Sequence, residues 1–142
     1  MSDPSVEIQN AVEAALRASA AVKSAMGLAT VRLYTLSAPV NAPFPHLIIG
    51  EDQIVGDDSD CGQASDVAVT IHVYSRTDTP AATRLQAKAI AAAVRQVLTA
   101  ELTVTGHRVI DWQFETTRHL KDPDGLTAHS VVTLEYHTAP SA

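Results

Sequence analysis

Residues 66–75, DVAVTIHVYS, alternate without a break: Val67, Val69, Ile71 and Val73 fall on one side of an extended chain, and Ala68, Thr70, His72 and Tyr74 on the other. A period of two fits a pleated strand and no helix. A strand with one apolar face needs a sheet around it and a layer that covers the valines, which already favours an antiparallel sheet packed on one side. The segment just before it, GDDSDCGQASD, holds two glycines, four aspartates and two serines. That is turn chemistry over a length unsuited to a tight hairpin, so an extended, mobile loop is expected there.

The covering layer is legible on either side. Residues 77–100, TDTPAATRLQAKAIAAAVRQVLTA, place Ala87, Ile90, Ala91, Val94, Val97 and Leu98 on one helical stripe, with Arg84, Lys88 and Arg95 on the wetter side. Thr79 is suited to cap this helix and Pro80 to its first position. Near the N-terminus, PSVEIQNAVEAALRAS reads as a second amphipathic helix, with Asp3 as N-cap, Pro4 in the first turn and Ile8, Val12, Ala15 and Leu16 on one stripe. It restarts through AAVKSAM and stops at Gly27, which suits a left-handed cap.

Four further strands complete the sheet. A short one lies in ATVRLYTL, before the prolines at 39, 43 and 45. HLIIGEDQIV follows, entered through Pro45, which holds the preceding residue extended. HRVIDWQFETTRHL and LTAHSVVTLEYHT are joined by the turn KDPDG and form an antiparallel hairpin. In the first, Ile110, Trp112 and Phe114 are expected on one face and Asp111, Gln113 and Glu115 on the other; in the second, Val132, Leu134 and Tyr136 oppose Thr133, Glu135 and His137. The expected fold is α+β, a mostly antiparallel sheet of four to five strands packed against two main helices, in one domain over residues 1–142.

The chain carries ten basic and sixteen acidic residues, a formal charge of −6, which argues against a nucleic-acid clamp. Aromatic residues make up 4%, too few for a base-stacking platform. The apolar stretch around 87–98 is interrupted by Lys88, Arg95 and Gln96, so no bilayer span is expected, and MSDPSVEIQ has neither the basic start nor the apolar run of a signal peptide. Cys61 stands alone among acids that would raise its pKa, so it makes no internal disulfide and is no obvious nucleophile.

No catalytic, cofactor or metal set is expected. Glu51 and Asp52 are neighbours on a strand and point to opposite faces, so they cannot converge on one substrate atom. Asp57, Asp58 and Asp60 lack the ligand alternation and closing glutamate of a calcium loop. His46, His72, His107, His119, His129 and His137 are scattered singly, without the helical spacing that sets two imidazoles on one metal.

Several stretches occur in an order that resembles a known family: APFPHLIIGED, the Ser75-Arg76 pair before the alanine-rich AKAIAAAVRQVL helix, and KDPDG, with the helix VEIQNAVEAALRASAAVKSAM before them and HSVVTLEYHT after. The chain is similar over about Val6 to His137 to tail terminator and tail completion proteins of long-tailed phages, prophages and gene transfer agents. Lys121 opens the last turn where arginine is frequent in the family. The resemblance implies a structural, non-enzymatic protein without cofactors, located in the tail or neck of a virion or gene-transfer-agent particle and assembled in the host cytoplasm. It implies a homo-oligomer, a hexameric ring, that caps the tail tube, ends its polymerisation and meets the head-tail connector or stopper protein, with DNA passing the channel without specific binding and no membrane involved. A ring subunit needs side-to-side contacts, for which Pro43, Pro45, Glu51, Asp52, Asp57, Asp58 and Asp60 are the candidate interface residues. A head-completion or stopper protein of the same neck, or a small α+β ligand-binding or hydrolytic enzyme, are the rival readings.

Overall fold

The computed structural model describes residues 3–59 and 62–141, with side chains outside 57–62. Its elements run α1 (Ser5–Ala18), α2 (Ala20–Met26), β1 (Leu33–Thr35), β2 (His46–Ser59), β3 (Gly62–Ser75), α3 (Pro80–Leu98), β4 (His107–Lys121) and β5 (Ala128–Pro140). One five-stranded sheet has the order β1-β2-β3-β5-β4. Only β1 pairs in parallel, Leu33 to Thr35 against Leu47 to Ile49. The α+β expectation holds, with helices on one face of the sheet.

Local chemistry starts and stops the helices. Thr79 accepts from the backbone N–H of Ala82 at the head of α3, and Pro80 follows. Ser19 breaks the N-terminal helix and caps α2 by accepting from Val22 N–H, and Gly27 ends α2 at φ 70°, which only glycine adopts without strain. Pro4 occupies the position before α1, so Asp3 caps from one residue further out, accepting from Ser5 N–H at 2.8 Å.

The core lies between helices and sheet. Val67, Val69, Ile71 and Val73 of β3 and Val132, Leu134 and Tyr136 of β5 are buried on one side against Ile90, Ala91, Val94 and Leu98 of α3. Ile8, Val12 and Leu16 of α1 and Val22 and Met26 of α2 close the same cluster. The Tyr136 hydroxyl donates to the Leu98 carbonyl at 2.6 Å, satisfying one of the acceptors that a helix leaves open at its C-terminus. The opposite face of the sheet is uncovered among the described residues, and its side chains are half-buried by one another.

Two expectations are corrected. Gly56 to Ser59 and Gly62 to Ser65 do not form a loop: they extend β2 and β3 as one long hairpin, with Gly56 opposite Ser65, Asp57 opposite Ala64, Asp58 opposite Gln63 and Ser59 opposite Gly62. Cross-strand pairing overrides the turn preference of glycine and aspartate, since strand propensity is set by neighbours more than by residue type. In β4, irregularities fall between Val109 and Asp111 and between Phe114 and Thr116. Each inserts a residue and changes parity. Val109 is therefore buried while Ile110 lies exposed and leaves the expected apolar row; Trp112 and Phe114 keep it, opposite Tyr136 and Leu134, with Trp112 38% exposed at the sheet edge.

Candidate functional site

The three stretches that carried the resemblance meet at Arg76. This residue leaves β3 at its end, and its Nη2 donates to Asp124 Oδ2 at 2.6 Å and to Thr127 Oγ1 at 2.7 Å. Its guanidinium also sits over the Phe44 ring, 4.9 Å from the centroid. Asp124 is held from several sides: it accepts from Leu126 N–H, Thr127 N–H and the Thr127 hydroxyl. Those hydrogen bonds, more than the arginine, hold its carboxyl down at about 2. The KDPDG turn, the SR pair and the proline loop are thus fastened to one another by one planar cation, which suits arginine and not lysine.

From Arg76 a row of rings runs across the uncovered sheet face. Phe44 lies 5.1 Å from His46, His46 5.3 Å from Tyr74, and Tyr74 4.3 Å from His129 at 11° between planes. The row follows from register alone: His46 pairs with Tyr74, and Tyr74 with His129. His129 Nε2 then meets His72 Nδ1 at 2.8 Å, and His72 Nε2 meets Glu51 Oε1 at 2.7 Å. Glu51 reaches this face because β2 shifts register between Ile49 and Asp52, and Gly50 lets the His72 ring lie where a Cβ would stand.

The chain Glu51, His72, His129 has a defined proton count. With Glu51 ionised, His72 donates from Nε2. The single bond between the two imidazoles needs one donor and one acceptor, which neutral rings supply when His129 Nε2–H donates to His72 Nδ1. His129 is held below the usual histidine range first by burial and then by His72, and Glu51 below the carboxylate range first by the His72 hydrogen bond. His46 is lowered mainly by its burial. No hydroxyl or thiol joins this chain among the described residues, and no group of three or more metal-ligating side chains occurs among them.

The structure places the expected interface residues as follows. Pro43 is exposed and its carbonyl pairs with His46 Nδ1 at 3.0 Å. Pro45 is buried, follows a cis peptide bond, and its carbonyl accepts from Arg32. Glu51 and Asp52 are exposed on β2 past the last pair with β1, and both border an open groove of about 470 Å³ that includes Leu36, Ile48 and His72. Asp57 and Asp58 lie on the hairpin extension of β2 with their side chains outside the description, and Asp60, like Cys61, falls outside the described residues. The histidine contacts were missed because they join strands remote in sequence. The signal available was parity: His72 and Tyr74 share a face of β3, and His129 becomes their neighbour once β3 and β5 are paired.

No curated protein sequence matches the chain. Among solved structures, a chain in the virion of a native gene transfer agent particle is similar at 21% identity, with TM-score 0.79 over 97% of this chain and 98% of that one. The gp17 protein of bacteriophage SPP1 is similar at 21% identity, with TM-score 0.58 over 93% of this chain and 88% of that one. At such identities the likeness establishes the fold. No helix among the described residues is long and apolar enough to cross a membrane. The family described as tail completion protein gp17 matches residues 10–139, nearly the whole length, and the chain belongs to that family.

Proposed function

We propose that the chain is a ring subunit in the neck of a phage-like particle, where it caps the finished tail tube, ends its polymerisation and offers a surface to the head-side connector. The observation that carries the reading is the family match over 10–139, on a fold whose two sheet edges are open. Among the described residues, β2 has no outer partner beyond Thr35 and Ile49, and β4 has none on its far side. A closed ring needs two different lateral surfaces on each copy, and opposite sheet edges supply them. The proline loop adds two exposed apolar side chains beside Pro43, Leu36 at 86% and Val40 at 91%. Similarity to a chain of a gene transfer agent virion supports the location.

Glu51 and Asp52, with Asp57, Asp58 and Asp60, form an assembly edge in this reading and catalyse nothing. Lumen-facing residues are neutral or acidic, so duplex DNA passes without being held. Deleting the gene and imaging particles by electron microscopy tests the proposal: overlong tails are expected, whereas leaky heads on tails of normal length would reassign the chain as a stopper. Reversing both charges with Glu51→Lys and Asp52→Lys is expected to reduce incorporation into particles while the monomer stays folded; unchanged incorporation would remove these residues from the interface. A purified ring that retains duplex DNA at physiological salt would overturn the lumen assignment.

A further inference from the structure

The charges of this chain are segregated along the sheet. Residues 46–75, which span β2 and β3, contain six acidic residues and no lysine or arginine. Residues 76–121, which span α3 and β4, contain seven lysines and arginines and four acidic residues. In the order β1-β2-β3-β5-β4, β2 lies near one edge and β4 forms the other.

On the basic side Arg76 is paired with Asp124, whereas the exposed cations of α3 stand apart from any described acid. Arg84, Lys88 and Arg95 are four and seven residues apart on α3, so they share one exposed face. Among the described residues none of the three forms an ion pair. A groove of about 270 Å³ runs between this face and β4, with Ala91 and Ala92 on one wall and Thr117 and His119 on the other. Arg95 lies over the Phe114 ring at 3.6 Å, which fixes its plane and leaves the guanidinium edge to a planar acceptor. His119 binds Ser130 Oγ through Nδ1 at 2.7 Å, which leaves Nε2 for the groove. Its pKa is lowered first by its burial and then by Lys88 and Arg84.

We propose that this groove, through Lys88, Arg95 and His119, receives the acidic β2 edge of a second copy of the chain. The assignment rests on the ring reading and specifies its lateral contact. Charge complementarity selects the occupant: the groove needs an anionic segment free of cations, and the chain carries one on its opposite edge. The contact is heterologous, edge of one copy to groove of the next, which is the kind that closes a ring. It also withdraws the cations of α3 from DNA, so a subunit with seven bases in this half can line a channel that does not hold duplex.

The test is a charge exchange between two chains, read by native mass measurement of the purified protein alone and with tail-tube protein. Lys88→Glu/Arg95→Glu and Glu51→Lys/Asp52→Lys are each expected to weaken self-association by about a hundredfold or more, because each sets like charges against one another. Mixed together they are expected to regain wild-type assembly, since each supplies the surface that the other lost. Lys88→Glu alone, which leaves the Arg95 contact with Phe114 untouched, guards against a folding defect and is expected to weaken assembly by roughly tenfold. A wild-type ring with either double variant still assembled, or a mixture that stays apart, overturns the groove and leaves the ring reading standing. A wild-type chain that stays monomeric in both preparations overturns the two together. Duplex DNA bound by the wild type at physiological salt and released by Lys88→Glu would overturn the groove in favour of a nucleic-acid site.

Discussion

Gly50→Ala should change sign with the residue at position 72. A Cβ at Gly50 would stand 2.5 Å from His72 Cδ2 and 2.6 Å from His72 Nε2, closer than any real contact. The imidazole must therefore swing away, losing its bonds to Glu51 and His129. Each such bond contributes about 0.5–1.5 kcal/mol net. The Glu51 end is discounted because its side chain is 73% exposed and water replaces the lost partner. The sum is a loss of about 1–2 kcal/mol. In a His72→Ala background the obstacle is gone, and replacing glycine within a strand should instead stabilise by about 0.5–1 kcal/mol. Urea unfolding of the four proteins of this cycle measures both numbers, as a midpoint that drops by about half to one molar in one background and rises in the other. Proton NMR adds a second reading: His129 loses one of the influences that depress it, so its titration midpoint should rise in Gly50→Ala. Equal effects of Gly50→Ala in the two backgrounds, or an unmoved His129, would refute the close approach of glycine and imidazole as the reason for Gly50.

Tyr136→Phe removes the hydroxyl that satisfies the Leu98 carbonyl in a buried site, and urea unfolding should register a loss of about 1–2 kcal/mol with an unchanged slope. Arg76→Lys keeps the charge but loses the fork that joins Asp124, Thr127 and Phe44; faster amide exchange across residues 122–127, at a cost of about 1 kcal/mol, is the expected outcome in hydrogen-exchange measurements. His107 Nε2 is buried without a hydrogen-bond partner among the described residues, so His107→Leu should leave stability equal or raise it by about 1 kcal/mol in thermal unfolding. His46 and His129 are both lowered in the folded chain, so the unfolded chain takes up protons first as pH falls through 6.5. Stability should therefore be fully present above that value and decline below it, a loss that His46→Gln reduces when urea midpoints at neutral and mildly acidic pH are compared.

Much of the fold was legible because single segments decide it. The stripe of α3 with Thr79 and Pro80, the alternation of Val67 to Val73 and that of Val132 to Tyr136 each report a period within one element. What was hidden depends on pairs of elements. Gly56, Asp57, Asp58 and Gly62 read as a loop, and only their partners across the hairpin make them strand. Ile110, Trp112 and Phe114 read as one face, and only the residue inserted between Val109 and Asp111 sets Ile110 apart from the other two. The histidines follow the same rule: Glu51, His72 and His129 have no common spacing, and their meeting requires the register of three strands together with the shift after Ile49. The unpaired cations of α3 were visible as a wet face, but the acidic edge opposite them became an opposite edge only when the strand order was known.

The two extra residues in β4, near Ile110 and Glu115, carry a consequence for how the molecule behaves before it finds its place. A long outer strand normally invites any extended peptide to zip onto it, amide by amide, with no natural stopping point. Here the row of backbone donors and acceptors is put out of step twice, so such zipping stalls after a few residues. Any lasting contact along this edge is left to side chains, and open-ended strand pairing finds no template there.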